Sequence, residues 1–273
     1  MYEPYWRLDV KPFENFSDDS FYYPGEAHQG TLLKLRYAIE NRRGIAVVSG
    51  AAGLGKSLLV RTLFRQLPDE YQPRAHLVFP QLSPTSLLAY LADELDSSSA
   101  SDQSTDASCQ LRRLERCLAE NSQRGQHTVI AIDEAHLLHE YAGLETIRLL
   151  TNFETDGRPD WTILLVGQPQ LLTQLDRAPG LDERMGVKCL LRPLQLEETI
   201  SYVSHKLTAA GASQMIFTGD ALEAVHEHSR GVPRRINRLC DLALLIGFAE
   251  ELPEIGAAQI EAVADELVTI TPE

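Results

Sequence analysis

Short apolar runs alternate with segments of helical periodicity along the first 195 residues of this 273-residue chain. Strands that are buried on both faces of a parallel sheet have continuous apolar sequences, whereas helices repeat their apolar residues every three to four positions. Five runs are typical of such strands: residues 44–49, 75–79, 127–133, 161–167 and 189–194. Helical periodicity is found between them, for example over residues 56–67, 110–121 and 143–155. The alternation predicts an α/β fold with a doubly wound, parallel, five-stranded sheet.

From about residue 196 onward the periodicity is helical only. Four amphipathic segments follow one another there, at residues 196–211, 220–229, 233–248 and 257–267. Gly231 fits a helix end, and Pro233 fits a first helical position. We therefore expect two domains, a lead-in with the α/β core over residues 1–195 and a small all-helical lid over residues 196–273.

A polar segment interrupts the α/β pattern. Residues 96–108, with the sequence DSSSASDQSTDAS, are small and polar and have little to bury. This composition is typical of segments that do not join a packed core. We expect a flexible surface insertion within the first domain.

Composition and charge narrow the class of protein. The chain is 44% hydrophobic and 23% charged, as soluble globular proteins are, and no apolar stretch approaches the roughly 18 residues of a membrane helix. The N-terminus has no secretory-signal pattern, and the four cysteines lack metal-binding spacing, so we expect a cytoplasmic protein with reduced thiols. The net charge of −14, with eight acids and no Lys or Arg from Asp241 onward, disfavours nonspecific attraction to nucleic acid.

The stretch GAAGLGKS at residues 50–57 lies between the first predicted strand and a predicted helix. Its glycines let the backbone turn with the N–H groups facing inward, and the helix N-terminus adds partial positive charge. Lys56 can reach the β- and γ-phosphates, and the Ser57 hydroxyl can ligate Mg²⁺. The loop therefore predicts a nucleoside triphosphate site formed by Gly50, Ala51, Ala52, Gly53, Leu54, Gly55, Lys56, Ser57 and Leu58.

Two later strands end in residues that suit phosphate chemistry. The strand TVIAID ends at Asp133, where a carboxylate can hold Mg²⁺ through its water shell. Glu134 follows directly and can orient and polarise an attacking water, which favours hydrolysis over transfer to a metabolite. Gln168 lies just past the next strand, where its amide can hydrogen-bond the γ-phosphate or the lytic water.

Two arginines are candidates for stabilising the charge on a transferring phosphoryl group. Arg184 precedes the fifth predicted strand and could reach the nucleotide of a neighbouring subunit. Arg234 begins a helix of the lid and could contact the γ-phosphate in its own subunit.

These motifs, in their order and spacing, resemble AAA+ ATPases of the ExeA/GspA type, a group linked with secretion-system and pilus assembly. The resemblance spans nearly the whole chain and includes MYEPYWRLDVKPF, VIAIDEAHLL, LLVGQPQL, LDERM and GVPRRINRLCDLAL. It implies that Arg184 is a trans-acting arginine finger, Arg234 the second sensor and Gln168 the first sensor. It also implies that the aromatic lead-in packs near the adenine, through Tyr22, Tyr23 and His28.

The resemblance further implies an ATP-hydrolysing oligomeric switch that uses ATP and Mg²⁺. We expect its client to be a protein of unknown identity, such as a secretion or pilus component. We expect the chain to be located in the cytoplasm or peripherally at the inner face of the membrane. Ser57 stands where the family commonly has threonine, and either hydroxyl serves Mg²⁺. Full-length ExeA-type proteins continue into a membrane span and a peptidoglycan-binding part, so a role in placing a secretin is not carried over to this sequence.

Other classes of protein compete with this interpretation. A DNA-associated regulator of transposition, of the TniB/TnsC kind, resembles the same module, and four arginines (230, 234, 235 and 238) favour it. The DEAH motif also occurs in helicases, but these need two recombinase-like domains. A GTPase would need an Asn-Lys-x-Asp sequence, which this chain lacks. A small-molecule kinase would not account for the adjacent Asp133 and Glu134.

Overall fold

The computed structural model describes residues 1–14, 21–96, 106–138, 140–155 and 157–269. The chain divides into two compact units, each with its own apolar core. The sheet unit comprises His28–Ala52 and Lys56–Leu191. The helical unit comprises Met1–Ala27, Gly53–Gly55 and Arg192–Glu273.

Five parallel strands form the centre of the sheet unit. Their bounds are Ile45–Ser49 (β1), Arg74–Leu77 (β2), Thr128–Ile132 (β3), Trp161–Gly167 (β6) and Met185–Leu190 (β7). A separate antiparallel pair consists of Glu154–Thr155 (β4) and Arg158–Pro159 (β5). The order of the large sheet is β2-β3-β6-β1-β7, and every residue of β1, β3 and β6 is buried. The three central strands are therefore the continuous apolar runs of the sequence, and the predicted fold class is confirmed.

Helices connect these strands and form the helical unit. Their bounds are Glu3–Trp6 (α1), Glu26–Glu40 (α2), Lys56–Gln66 (α3), Pro84–Leu95 (α4), Ala107–Gln123 (α5), Glu140–Leu150 (α6), Gln170–Asp176 (α7), Pro179–Asp182 (α8), Leu196–Ala209 (α9), Gly219–Ser229 (α10), Pro233–Ala249 (α11) and Ala257–Thr269 (α12). At α4, local sequence explains where the helix begins. Ser83 accepts a hydrogen bond from the Ser86 N–H at 3.2 Å, and Pro84 occupies the first helical position.

Two local boundaries predicted from the sequence are wrong. The fifth strand is Met185–Leu190 instead of residues 189–194. It lies at an edge of the sheet, and its exposed side chains alternate with less exposed ones, so it lacks the continuous apolar run of a central strand. The helix predicted over residues 143–155 ends at Leu150, and Glu154–Thr155 pairs as a strand instead.

The predicted insertion at residues 96–108 falls mostly outside the described residues, which omit 97–105. On its two sides, Asp96 follows the last turn of α4, with its N–H donating to the Ala92 carbonyl at 3.0 Å, and α5 begins at Ala107. The division of the chain into domains at residues 195 and 196 remains a prediction.

Three apolar side chains near the start of the chain, Tyr2, Trp6 and Leu8, are buried in the helical unit. The indole N–H of Trp6 donates to the Leu244 carbonyl at 2.9 Å, and the Tyr2 hydroxyl donates to the Asp241 carboxylate. The Asp9 N–H donates to the Ala210 carbonyl at 2.8 Å. Tyr2 and Trp6 are therefore part of the core of the helical unit. Within the described residues, no helix combines the length and the apolar character that crossing a bilayer requires.

Lys206 in α9 is a buried cation within this unit. Its side chain is among the buried polar groups, at 5% exposure, and its Nζ lies 5.3 Å from the centre of the Phe21 ring and 5.6 Å from that of Tyr202. Burial lowers the pKa of Lys206 from its ordinary value of 10.5 to about 8. The folded state therefore binds the Lys206 proton less tightly than the unfolded state does.

Replacing Lys206 with Met should stabilise the protein at pH 7, because methionine keeps the aromatic contacts without a buried charge. Below pH 8 both states of the wild type bind the proton, so the full cost of burying the charge is present. Between pH 8 and 10.5 the unfolded state binds more protons, so wild-type stability gains relative to the variant as the pH rises. Thermal melts of the wild type and Lys206→Met at pH 7 and pH 9.5 measure the difference in stability, and Lys34→Met, at an exposed position, is the control. A Lys206→Met variant no more stable than the wild type at pH 7 would contradict the claim that the buried charge destabilises the fold.

Candidate functional site

The glycine-rich loop joins β1 to α3, as the sequence predicts. Gly53 and Gly55 have φ values of +85° and +86°, which L side chains rarely adopt. The Gly50 N–H donates to the Gly167 carbonyl at 3.1 Å, which fixes the start of the loop against the end of β6. The strand, loop and helix therefore have the arrangement of a phosphate-binding loop.

Lys56 is held against the beginning of this loop. It is the first residue of α3, and its side chain is buried at 5% exposure. Its Nζ donates to the Gly50 carbonyl at 2.8 Å and to the Ala51 carbonyl at 3.0 Å. The ammonium group thus lies beside the backbone of the loop at residues 50 and 51, where an anionic ligand of the loop would meet it.

Asp133 directly follows β3 and is 2% exposed. Its carboxylate accepts hydrogen bonds from the Ser57 hydroxyl and, at 2.9 Å, from the Glu134 N–H. Burial alone would raise the pKa of Asp133, but the neighbouring His76 imidazole and these two donors together lower it. The carboxylate is therefore ionised at neutral pH.

Ser57 and Asp133 together are suited to a magnesium ion. A hydroxyl and a carboxylate are hard oxygen donors, and Mg²⁺ is usually held by one or two such protein groups together with water and phosphate oxygens. The direct hydrogen bond between the two side chains shows that the fold brings both predicted ligands to one point. The residues present therefore fit the ion that the sequence predicts.

Glu134 has an unusual backbone conformation, with φ +48° and ψ +36°. Left-handed geometry is uncommon for a residue with a side chain and is often found at functional sites. Its carboxylate is 37% exposed, and Oε2 accepts a hydrogen bond from Gln168 Nε2 at 3.4 Å. The structure thus brings together the two residues that the sequence predicts as base and first sensor.

Arg184 lies at the amino ends of the parallel strands, whereas these residues lie at the carboxyl ends. It immediately precedes β7, whereas Asp133, Glu134 and Gln168 follow the carboxyl ends of β3 and β6. Parallel strands of five to seven residues separate the two edges by about 17–23 Å. Arg184 Nη1 donates to Thr151 Oγ1 at 2.7 Å. Within one chain, Arg184 is therefore not part of this site.

The other predicted residues are placed as follows. Arg234 is exposed in the helical unit, where its N–H donates to the Gly53 carbonyl at 3.3 Å. Tyr23 packs against Tyr202 in the same unit, with ring centres 5.6 Å apart. Burial raises the pKa of Tyr22 to about 12. His28 is buried in the sheet unit. The contacts of these residues with a nucleotide remain predictions.

Two histidines at this site were not predicted from the sequence. His76 of β2 has its Nε2 3.7 Å from Asp133 Oδ2, and His136 has its Nδ1 3.5 Å from Glu134 Oε2. For His76, the only signal was a polar residue inside an apolar strand. For His136, the signal was its place in the DEAH motif, two residues after Glu134.

Comparison with known families defines the class of protein. The family described as AAA domain matches residues 39–175, which is half of the chain. The chain therefore belongs to this family. It is also 35% identical over 277 residues to General secretion pathway protein A of Aeromonas hydrophila. That alignment covers 100% of this chain and 50% of the relative, so the chain spans about half the length of that protein. The predicted resemblance to AAA+ ATPases of the ExeA/GspA type is confirmed.

Solved structures agree with the fold. Cdc6p from Pyrobaculum aerophilum superposes with a TM-score of 0.71 at 17% identity, covering 93% of this chain and 74% of that one. The ORC2 protein of Aeropyrum pernix gives 0.69 at 14% identity, covering 97% and 73%. The RuvB Holliday junction branch migration motor of Thermotoga maritima gives 0.63 at 18% identity, covering 93% and 73%. At these identities the similarity establishes the fold alone.

Proposed function

We propose that this chain binds and hydrolyses ATP and acts as an oligomeric switch in secretion-system or pilus-type assembly. The observation that carries the proposal is the constellation at the carboxyl edge of the sheet. There the buried Asp133 accepts a hydrogen bond from Ser57 of the P-loop helix, and Glu134 accepts one from Gln168 at the end of the adjacent strand. A magnesium ligand pair and a candidate base thus adjoin the phosphate loop.

Each residue has a distinct task in the proposed reaction. The backbone N–H groups of the loop and the Lys56 ammonium bind the phosphates. Glu134 accepts the proton of the attacking water, and the Gln168 amide orients that water. Ser57 and Asp133 would hold Mg²⁺, which would supply positive charge to stabilise the phosphate oxygens. Arg234 contacts the γ-phosphate in its own subunit.

The assembly role rests on the similarity to General secretion pathway protein A. Because the chain spans about half of that protein, the client and the pathway are part of the proposal. The position of Arg184 supports the proposed oligomeric state. An arginine at the amino edge of the sheet, about a strand length from the site of its own chain, can serve a phosphoryl group only across a subunit boundary. We place the protein in the cytoplasm or at the inner face of the membrane.

Replacing Glu134 with Gln should leave ATP binding intact and slow hydrolysis by orders of magnitude, because the amide keeps the shape of the side chain but cannot accept the proton. Phosphate release and equilibrium binding of a fluorescent ATP analogue measure the two effects separately. Size-exclusion chromatography with ATP should show the variant as the larger species.

Lys56→Ala is the matched control for that experiment. It should lose nucleotide binding itself, because it removes the cation that meets the phosphates. A Glu134→Gln variant that hydrolyses ATP at the wild-type rate, or a Lys56→Ala variant with wild-type nucleotide affinity, would contradict the proposed function.

Arg184→Ala should bind ATP almost normally and hydrolyse it about 10³- to 10⁵-fold more slowly, the range for arginine fingers in characterised enzymes. Mixing it with Glu134→Gln should restore part of the activity, because some interfaces then pair an intact base with an intact finger. Steady-state ATPase rates of the mixture and of each component at equal total protein measure the recovery.

Thr151→Val distinguishes a local role of Arg184 from a role across subunits. This variant removes the acceptor that Arg184 contacts within its own chain but keeps the guanidinium group. It should retain activity and complement Glu134→Gln. A mixture of Arg184→Ala and Glu134→Gln that forms mixed oligomers yet stays inactive would assign Arg184 to fold stability instead.

A second candidate function is DNA-associated regulation of the TniB/TnsC kind. Four arginines (230, 234, 235 and 238) are exposed around the start of α11, and none of them pairs with an acid among the residues that the structure describes. The net charge of −14 opposes it. We expect only weak duplex binding, lost between 50 and 200 mM salt in an anisotropy titration. Tight binding at 200 mM salt that Arg235→Ala and Arg238→Ala weaken would favour this function instead.

A further inference from the structure

We propose that His136 is a positioning residue, which holds the candidate base Glu134 and the candidate sensor Gln168 in one arrangement. This inference rests on the proposed function, because it assigns a role within the same site. His136 lies in the 3₁₀ turn Ala135–Leu137, which follows Glu134. Its imidazole is 9% exposed, so it is enclosed by protein while the Glu134 carboxylate beside it is reached by solvent.

The imidazole links the ends of two neighbouring strands. His136 Nδ1 accepts a hydrogen bond from the Gln168 backbone N–H at 3.3 Å, and the same nitrogen lies 3.5 Å from Glu134 Oε2. The Gln168 side chain completes the ring of contacts, with Nε2 donating to Glu134 Oε2 at 3.4 Å. His136 therefore connects the loop after β3 with the residue after β6.

The neighbouring residues fix the imidazole in this position. Gln174 Nε2 donates to the His136 carbonyl at 3.0 Å, so α7 holds the backbone of the turn. A Cβ at Gly167 would lie 3.3 Å from both His136 N and Nδ1, and 3.1 Å from Leu171 Cδ2. A side chain at the end of β6 would therefore press against the ring and require a small shift of these neighbours.

The direction of the hydrogen bond has a consequence for Glu134. Because Nδ1 accepts the Gln168 N–H, the proton of the neutral imidazole is on Nε2. Nδ1 then cannot donate to the nearby carboxylate, which keeps its acceptor capacity for a water proton. His136 therefore acts on the base through Gln168: its Nδ1 anchors the Gln168 backbone, and the Gln168 side chain donates to Glu134 Oε2.

The test compares His136→Leu, which removes the acceptor, with His136→Asn, whose Oδ1 can replace Nδ1. Misplacement of a catalytic group by about 1 Å can cost about 10²-fold in rate. We expect the Leu variant to lose between 10- and 100-fold in kcat, with the Kd for a nonhydrolysable ATP analogue unchanged. The Asn variant should recover most of the lost rate. His228→Leu, an exposed histidine of α10, is the control and should behave as the wild type.

The outcomes separate this inference from the proposed function. If Glu134→Gln, measured in parallel, is as active as the wild type, the proposed function fails. If Glu134→Gln is inactive but His136→Leu keeps the wild-type kcat, the proposed function stands and the role of His136 is wrong. Equal losses in the Leu and Asn variants would likewise overturn it, because the acceptor would then not matter. If the Leu variant does not melt cooperatively, His136→Ala replaces it in the same comparison.

Discussion

The hydrogen bond between Ser57 and Asp133 is the contact on which the candidate site depends. Ser57 lies in the first turn of α3 and Asp133 directly follows β3, so the bond joins the phosphate loop to a neighbouring strand end. A buried carboxylate is tolerated only when it is hydrogen-bonded, and Ser57 together with the Glu134 N–H satisfies this requirement. The His76 imidazole and the same two donors keep the group ionised, which is the state that can hold a divalent cation.

The order of the strands explains how residues far apart in sequence come together. β3, β6 and β1 are adjacent and parallel, so their carboxyl ends form one edge of the sheet. Asp133, Gln168 and the glycine-rich loop each follow one of these ends. The amino ends form the other edge, and Arg184 is placed there by the start of β7. A single fold thus separates the residues proposed to act within a subunit from the one proposed to act across subunits.

Glu134 combines a strained backbone with close packing of its neighbours. Its left-handed conformation costs about 1–3 kcal/mol, and such strain persists only where the surrounding structure imposes it. Here the 3₁₀ turn that follows, the largely enclosed His136 imidazole and the backbone of Gly167 pack closely together. The observed geometry is what a precisely oriented carboxylate requires.

Elements with a local sequence signal could be predicted before the structure was known. The central strands are continuous apolar runs because both of their faces are buried, and the loop at residues 50–57 has its own spacing of Gly, Lys and Ser. Features that depend on contact with another element of the fold could not be predicted from the sequence. The apolar residues of the edge strand β7 are interrupted by Gly186 and Lys188, so its bounds follow from pairing with β1. The contacts of Trp6 with Leu244 and of His136 with Gln168 join residues far apart in sequence, where no periodic pattern indicates a contact.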